Sequence, residues 1–154
     1  MADAWHGNRL NRLVKRPKLH LCDTGIASAL LGMDGPALAY DRTLFGQLLE
    51  TFAYQELRRQ ASWHDVRMSF HYFRDKDGAE VDIVIDGGAS DTAGVEVKAS
   101  GTVRAADFRG LRKLRGPLGD RFAGGVVLYD GEATVPFGDR MHAVPLRRLF
   151  DRPS

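Results

Sequence analysis

The chain has 154 residues, 44% of them apolar, which is enough for one domain with a real core and too few for two well-buried ones. No stretch approaches the roughly 18 apolar residues of a membrane span, the N-terminus lacks the apolar run of a secretory signal, and a single cysteine, Cys22, excludes an internal disulfide or a multi-cysteine zinc site. A formal net charge of +2 is too small to argue for nucleic acid by itself, and the balance of these features predicts a cytoplasmic protein with Cys22 buried as a small hydrophobe.

In chain order, "PKLHLC" predicts a strand over residues 18–22, with Leu19 and Leu21 alternating with polar or small neighbours. Asp23 or Thr24 then caps a short helix whose stripe is Ile26, Ala29 and Leu30 and whose end is Gly32. Gly and Pro predict a loop over 35–41. "TLFGQLLETFAYQELRRQ" places Leu44, Phe45, Leu48, Leu49, Phe52, Ala53 and Leu57 at helical spacing, a long amphipathic helix with a broad buried face. Glu50 falls at the edge of that face and Glu56 near its middle, so one of these acids requires a partner.

"VRMSFHYFRDKDGAEVDIVIDGG" predicts a hairpin: a strand over 68–74, a turn at "DKDG" and a return strand over 79–85. On the return strand Val81, Ile83 and Ile85 share one face, and Glu80, Asp82 and Val84 the other. A further strand over 94–99 sets Val95 and Val97 opposite Glu96 and Lys98. "TVRAADFRGLRKLRGPLG" predicts a helix with Phe108, Leu111 and Leu114 inward, ended by Gly116 and Pro117. "AGGVVLYD" has the continuous apolar character of a central strand, and "HAVPLRRLF" adds a short strand and a last helical turn. The order is αβββαβ, an α/β (α+β) fold with a mixed sheet covered on both faces.

Charge is uneven along this order. Seven acids lie between Asp75 and Glu96 against one base, Lys76, while basic stretches flank that centre on both sides. Asp82 and Glu96, on neighbouring strands, are placed to share a hard divalent cation such as Mg²⁺, with the Val97 main-chain carbonyl as third ligand. Lys98 follows two residues later on the same face, where an ammonium can orient or deprotonate a water attacking a phosphodiester. The bases Arg104, Arg109, Arg112 and Lys113 come directly afterwards and are candidates for a nucleic-acid backbone, although such charges more often form a solvated face. No paired histidines, nucleophile elbow or Cys/His arrangement suggests zinc or nucleophilic catalysis.

The acid followed by "EVK" resembles the D-x(n)-E-x-K signature of the restriction-endonuclease-like, PD-(D/E)XK nuclease superfamily. That resemblance implies the same αβββαβ core, Mg²⁺ or Mn²⁺ as cofactor and DNA as substrate. It also implies a further catalytic, metal-site acid on the first helix, acting as an outer or second-metal ligand, which by the match of "GQLLETFAYQEL" is Glu50, with Glu56 second. Val81 stands where the signature has proline. A narrower likeness covers nearly the whole chain: "RPKLHLCDTGIASALLG", "GQLLETFAYQELRRQ", "FRDKDGAEVDIVI" and "VEVKAS" are similar to the C-terminal domain, of unassigned role, found in prokaryotic AAA-type ATPases. It implies an upstream P-loop ATPase domain as partner. It also implies that residues 1–16 end a connecting segment, that 17–154 form one nuclease-like domain, and that some apolar surface is exposed. With no G-x-x-x-x-G-K-[ST], this chain is not expected to hydrolyse ATP. Two functions are therefore expected: a metal-dependent DNA phosphodiesterase, or a non-catalytic DNA-binding, interaction or oligomerisation module with a degenerate site.

Overall fold

The computed structural model describes residues 2–5, 18–87 and 91–151. A seven-stranded mixed sheet runs through them in the order β1-β2-β3-β4-β5-β7-β6. Its strands are β1 (Asp3–Ala4), β2 (Ser69–Arg74), β3 (Glu80–Asp86), β4 (Thr92–Lys98), β5 (Phe122–Tyr129), β6 (Val135–Gly138) and β7 (Met141–Pro145). Helices α1 (Thr24–Leu30), α2 (Gly35–Tyr40) and α3 (Arg42–Ala61) precede β2, and α4 (Arg109–Leu118) joins β4 to β5. β2, β3 and β4 form an antiparallel meander, whereas β4, β5 and β7 run parallel. The parallel β4-α4-β5 step needs a crossover helix, and α4 supplies it.

Each face of the sheet buries its own core. On one, Leu111, Leu114 and Leu118 of α4, with Phe108 from the 3-10 turn Ala105–Phe108, pack on Val81, Val84, Phe122 and Val127. On the other, Ala53 and Tyr54 of α3 pack on Ile83, Val95 and Leu128. The approach of α4 to β3 is unusually close at Gly110, where an added Cβ would lie 1.7 Å from the Glu80 carbonyl oxygen. Only glycine permits that contact.

A bulge in β3 changes the predicted faces. His71 pairs with Val84 but Phe73 pairs with Val81, so β3 carries one extra residue between these pairs. Val81 consequently belongs to the α4 core and Ile83 to the α3 core, correcting the expectation that they share a face.

Other expectations are corrected by the N-terminal half. Lys18 makes only an isolated bridge to Ala2, and the predicted strand over 18–22 does not form. Leu19 and Leu21 are exposed while His20 is buried, the reverse of the apolar alternation. Cys22 is exposed. The Gly-Pro stretch read as a loop is helix α2: Asp34 caps it by accepting the Ala37 N–H, and proline fits a first helical turn because its missing N–H is not needed there. Asp23 caps α1 as expected, and Gly32 follows it with φ +66°.

α3 spans the predicted residues, but its leucine stripe is only half-buried; the buried positions are Ala53, Tyr54 and, less completely, Glu56. Glu56 accepts hydrogen bonds from Arg59 Nε at 3.1 Å and Gln60 Nε2 at 2.9 Å, the partnership its burial demands. Gln60 also donates to the Leu149 carbonyl, which ties the final 3-10 turn Leu146–Phe150 to α3. α4 continues through Pro117 to Leu118 rather than stopping at Gly116, and β6 is an additional edge strand. Of residues 1–16, Ala2 to Trp5 are described: Ala2, Ala4 and Trp5 are buried and β1 pairs with β2, while 6–16, most of the expected connecting segment, lie outside the described residues. Among the described residues, no helix is long and apolar enough to cross a membrane.

Candidate functional site

Asp82 sits just past the point where β3 and β4 stop pairing. Their ladder runs from Asp86↔Thr92 to Ile83↔Val95 and ends there. Continued by one step it would bring Asp82 opposite Glu96. Instead the Asp82 carboxylate accepts the Val97 main-chain N–H through Oδ2 at 2.9 Å. A side chain thus takes over a backbone acceptor's role, and the two strands part beside two carboxylates.

Glu96 and Lys98 alternate with Val95 and Val97 along β4, so they share the α4 side of the sheet with Gly94, which packs on Leu111 and Leu114. Lys98 Nζ donates to Glu96 Oε1 at 3.0 Å. The other oxygen, Glu96 Oε2, is buried and has no hydrogen-bond partner. Burial, reinforced by the Asp82 charge and only partly offset by Lys98 and by the Asp82 main-chain N–H, pushes the Glu96 carboxyl up to about 7. Burial opposes the Lys98 charge, but the Glu96 carboxylate outweighs it and holds this lysine above its ordinary range. Lys98 is therefore a hydrogen-bond donor and an orienting charge in this state, not a base.

Glu50 reaches the same centre from α3. Its Oε1 lies 2.6 Å from Lys18 Nζ, and Lys18 Nζ lies 3.5 Å from Asp82 Oδ1. Burial and the Asp82 charge push Glu50 above the ordinary glutamate range, against the pull of Lys18. Lys18 is itself raised: burial works against its charge, and the Glu50 and Asp82 carboxylates prevail. His20 lies beneath, stacked on Tyr54 with ring centroids 4.1 Å apart, and its Nε2 is 3.9 Å from Glu50 Oε1. Burial, then the Lys18 charge, lower the His20 pKa to about 4, so the ring is neutral near pH 7. Asp82 is thus the hub, facing Lys18 and Glu50 on one side and Glu96 on the other.

The predicted residues Glu50, Asp82, Glu96 and Lys98 are brought together. Val97 contributes a main-chain donor to Asp82, a contact the sequence reading did not anticipate. Lys18 and His20 are additional members that it missed; their shared parity in "KLHLC" was the available signal, overridden by the attraction of Leu19 and Leu21. A cleft of about 290 Å³ lined by Lys18, Tyr72, Arg74, Glu80 and Asp82 opens alongside, with Glu80 paired to Arg74.

The donor set is all oxygen, which suits a hard cation, and the partnerless Glu96 oxygen beside Asp82 has the character of an unused ligand. Among the described residues, no three His, Cys, Asp or Glu side chains already converge as a metal-binding group. An ion here would rest on Asp82, Glu96 and a main-chain carbonyl such as that of Val97.

The basic residues after β4 are engaged within the chain. Arg109 donates to the Asp77 carbonyl at 3.2 Å and Arg112 to the Ala105 carbonyl at 2.6 Å. Lys113 pairs with Asp75 at 3.3 Å and Asp77 at 2.9 Å, whereas Arg104 is exposed and is engaged through its main-chain N–H, which donates to Asp107 at 2.7 Å.

A model of the family DUF4143, described as a domain of unknown function, matches residues 45–149. The chain belongs to the DUF4143 family. The matched stretch contains Glu50, Asp82, Glu96 and Lys98, while Lys18 and His20 lie upstream of it. Two uncharacterized proteins, one of Mycobacterium bovis and one of Mycobacterium tuberculosis, are each 27% identical to this DUF4143 chain over 151 residues. The alignment covers 97% of the chain and 32% of each relative, so the chain spans about a third of their length. No solved structure matches it significantly.

Proposed function

We propose that this DUF4143 domain is a divalent-metal-dependent phosphodiesterase of the PD-(D/E)XK type, acting on DNA. The observation that carries the reading is the opening of β3 from β4 at Asp82, which leaves a buried, partnerless Glu96 oxygen next to the carboxylate that accepts the Val97 N–H. Asp82 and Glu96 would hold Mg²⁺ or Mn²⁺ with the Val97 carbonyl, and Glu50 would act as an outer acid. The ion would supply Lewis-acid charge at the scissile phosphate. Lys98, charged and fixed by Glu96, would orient the attacking water and stabilise charge on the phosphoryl oxygens. Arg104 would meet the DNA backbone directly, and Arg109, Arg112 and Lys113 only by exchanging their intramolecular partners for phosphates.

The longer mycobacterial relatives are compatible with the domain working as the C-terminal module of a larger protein, and we propose a P-loop AAA-type ATPase domain as its upstream partner. A cytoplasmic setting would keep the exposed Cys22 reduced.

One feature favours a second reading, a non-catalytic docking or DNA-binding module. Ile26, Leu30 and Leu31 on and beside α1, with Leu19 and Leu21, form exposed apolar surface, and both lysines of the site already neutralise carboxylates. Incubating plasmid, linear and single-stranded DNA with Mg²⁺ or Mn²⁺ separates the two. The nuclease reading predicts cleavage that chelator stops and that Asp82→Asn and Lys98→Ala abolish with little change in melting temperature. Equal cleavage by both variants, or none by the wild type, contradicts it.

A further inference from the structure

We propose that Lys18 is a resident cation of the acidic site, its ammonium taking the place between Glu50 and Asp82, so that the chain binds one divalent ion and not two. The proposal rests on the reading of Asp82 and Glu96 as a cation site. Lys18 is placed by backbone, not left to chance: its N–H donates to the Ala2 carbonyl and its carbonyl accepts the Ala2 N–H, each at 2.8 Å. This two-way bridge fixes the lysine beside the end of the sheet. From there Nζ reaches Glu50 at 2.6 Å and Asp82 at 3.5 Å, the position a second metal shared by those carboxylates would need.

Charge balance points the same way. Glu50, Asp82 and Glu96 face the ammonium groups of Lys18 and Lys98, and neighbouring Glu80 is matched by Arg74. With all three carboxylates ionised, as metal ligation requires of Glu96, the cluster therefore carries a formal charge of −1. One divalent ion brings it to +1, whereas two would leave +3 in a partly buried site, a strongly unfavourable concentration of like charge. Without Lys18 the cluster carries −2, so two ions bring it to +2 and not +3, and the place between Glu50 and Asp82 is open to the second. Glu50 is on this account a partner of Lys18, not a ligand of the first ion.

Mn²⁺ titration of the full chain, with free ion counted by electron paramagnetic resonance and heats by calorimetry, tests this without reference to cleavage. The wild type and Lys18→Arg are expected to bind one ion. Lys18→Met is expected to bind two, and Lys18→Gln, which keeps a polar head in this partly exposed position, guards against a folding failure of the apolar variant. Melting in chelator checks that each variant is folded. A wild type that binds two ions overturns the proposal, as do folded Lys18→Met and Lys18→Gln chains that keep one ion at unchanged affinity; the latter leaves the reading of Asp82 and Glu96 intact. If neither the wild type nor the variants bind Mn²⁺, that reading and this proposal fall together.

Discussion

The carboxylate of Asp82 accepts the main-chain N–H of Val97 at 2.9 Å, one step beyond the last backbone pair between β3 and β4. A residue read from the sequence as a metal ligand therefore also holds two strands at the point where they separate. Asp82→Ala removes the acceptor and leaves the Val97 N–H partly buried without a partner, at a cost of about 1–3 kcal/mol. Asp82→Asn keeps an oxygen acceptor and loses only the charge. Urea denaturation is expected to show a clearly larger loss for Asp82→Ala than for Asp82→Asn. Equal losses would mean that the charge opposite Lys18, and not the contact with Val97, is what the fold needs.

Glu96 gives a pH signature. Its carboxyl titrates near 7 in the folded chain, against an ordinary value of 4.5. Between those values the folded chain holds a proton that the unfolded chain has released. The resulting stabilisation is complete below the ordinary value and is lost as pH rises through about 7. Glu96→Gln abolishes this dependence. In chelator it is expected to be more stable than the wild type above neutrality, by roughly 2–3 kcal/mol, with the gap closing at about pH 5 and below. A gap that stays constant across that window would show that Glu96 does not titrate there.

Gly110 tests how α4 is seated behind the site. A Cβ at this position would lie 1.7 Å from the Glu80 carbonyl oxygen and 3.2 Å from Val81 Cγ2. The first obstacle is backbone, so no rotamer change relieves it. Gly110→Ala must move α4 off β3, with an expected loss of about 3 kcal/mol or more and a shift in the backbone flanking Asp82. Gly116→Ala, with nothing within 4 Å of its added Cβ, is the matched control and is expected to be neutral or slightly stabilising. Similar melting temperatures for the two variants would contradict the close approach.

The meander and crossover were legible because strand alternation and helical spacing are local patterns. β2, β3, β4, α4 and β5 fall close to where periodicity places them, and with them come Asp82, Glu96 and Lys98. Faces were less secure: the bulge in β3 inserts one residue, and a period of two then assigns Val81 and Ile83 to the wrong common face. Lys18 and His20 were hidden for a different reason. They reach Glu50 and Tyr54 through contacts across more than thirty residues, which no local pattern in "PKLHLC" encodes. Cys22 was misplaced because its residue type favours burial while its position in an irregular connection exposes it. One of Glu50 and Glu56 was expected to need a partner, and both have one: Glu50 pairs with Lys18, and Glu56 accepts from Arg59 and Gln60.

The central claim is that Asp82 and Glu96 form one divalent-cation site, and calorimetric titration with Mg²⁺ or Mn²⁺, wild type against Asp82→Asn, addresses it most directly. The account predicts saturable binding of a single ion by the wild type, accompanied by proton release near pH 7 as Glu96 ionises, and loss of that binding in a folded Asp82→Asn variant. Absence of binding to the wild type, or undiminished binding to Asp82→Asn, would contradict it.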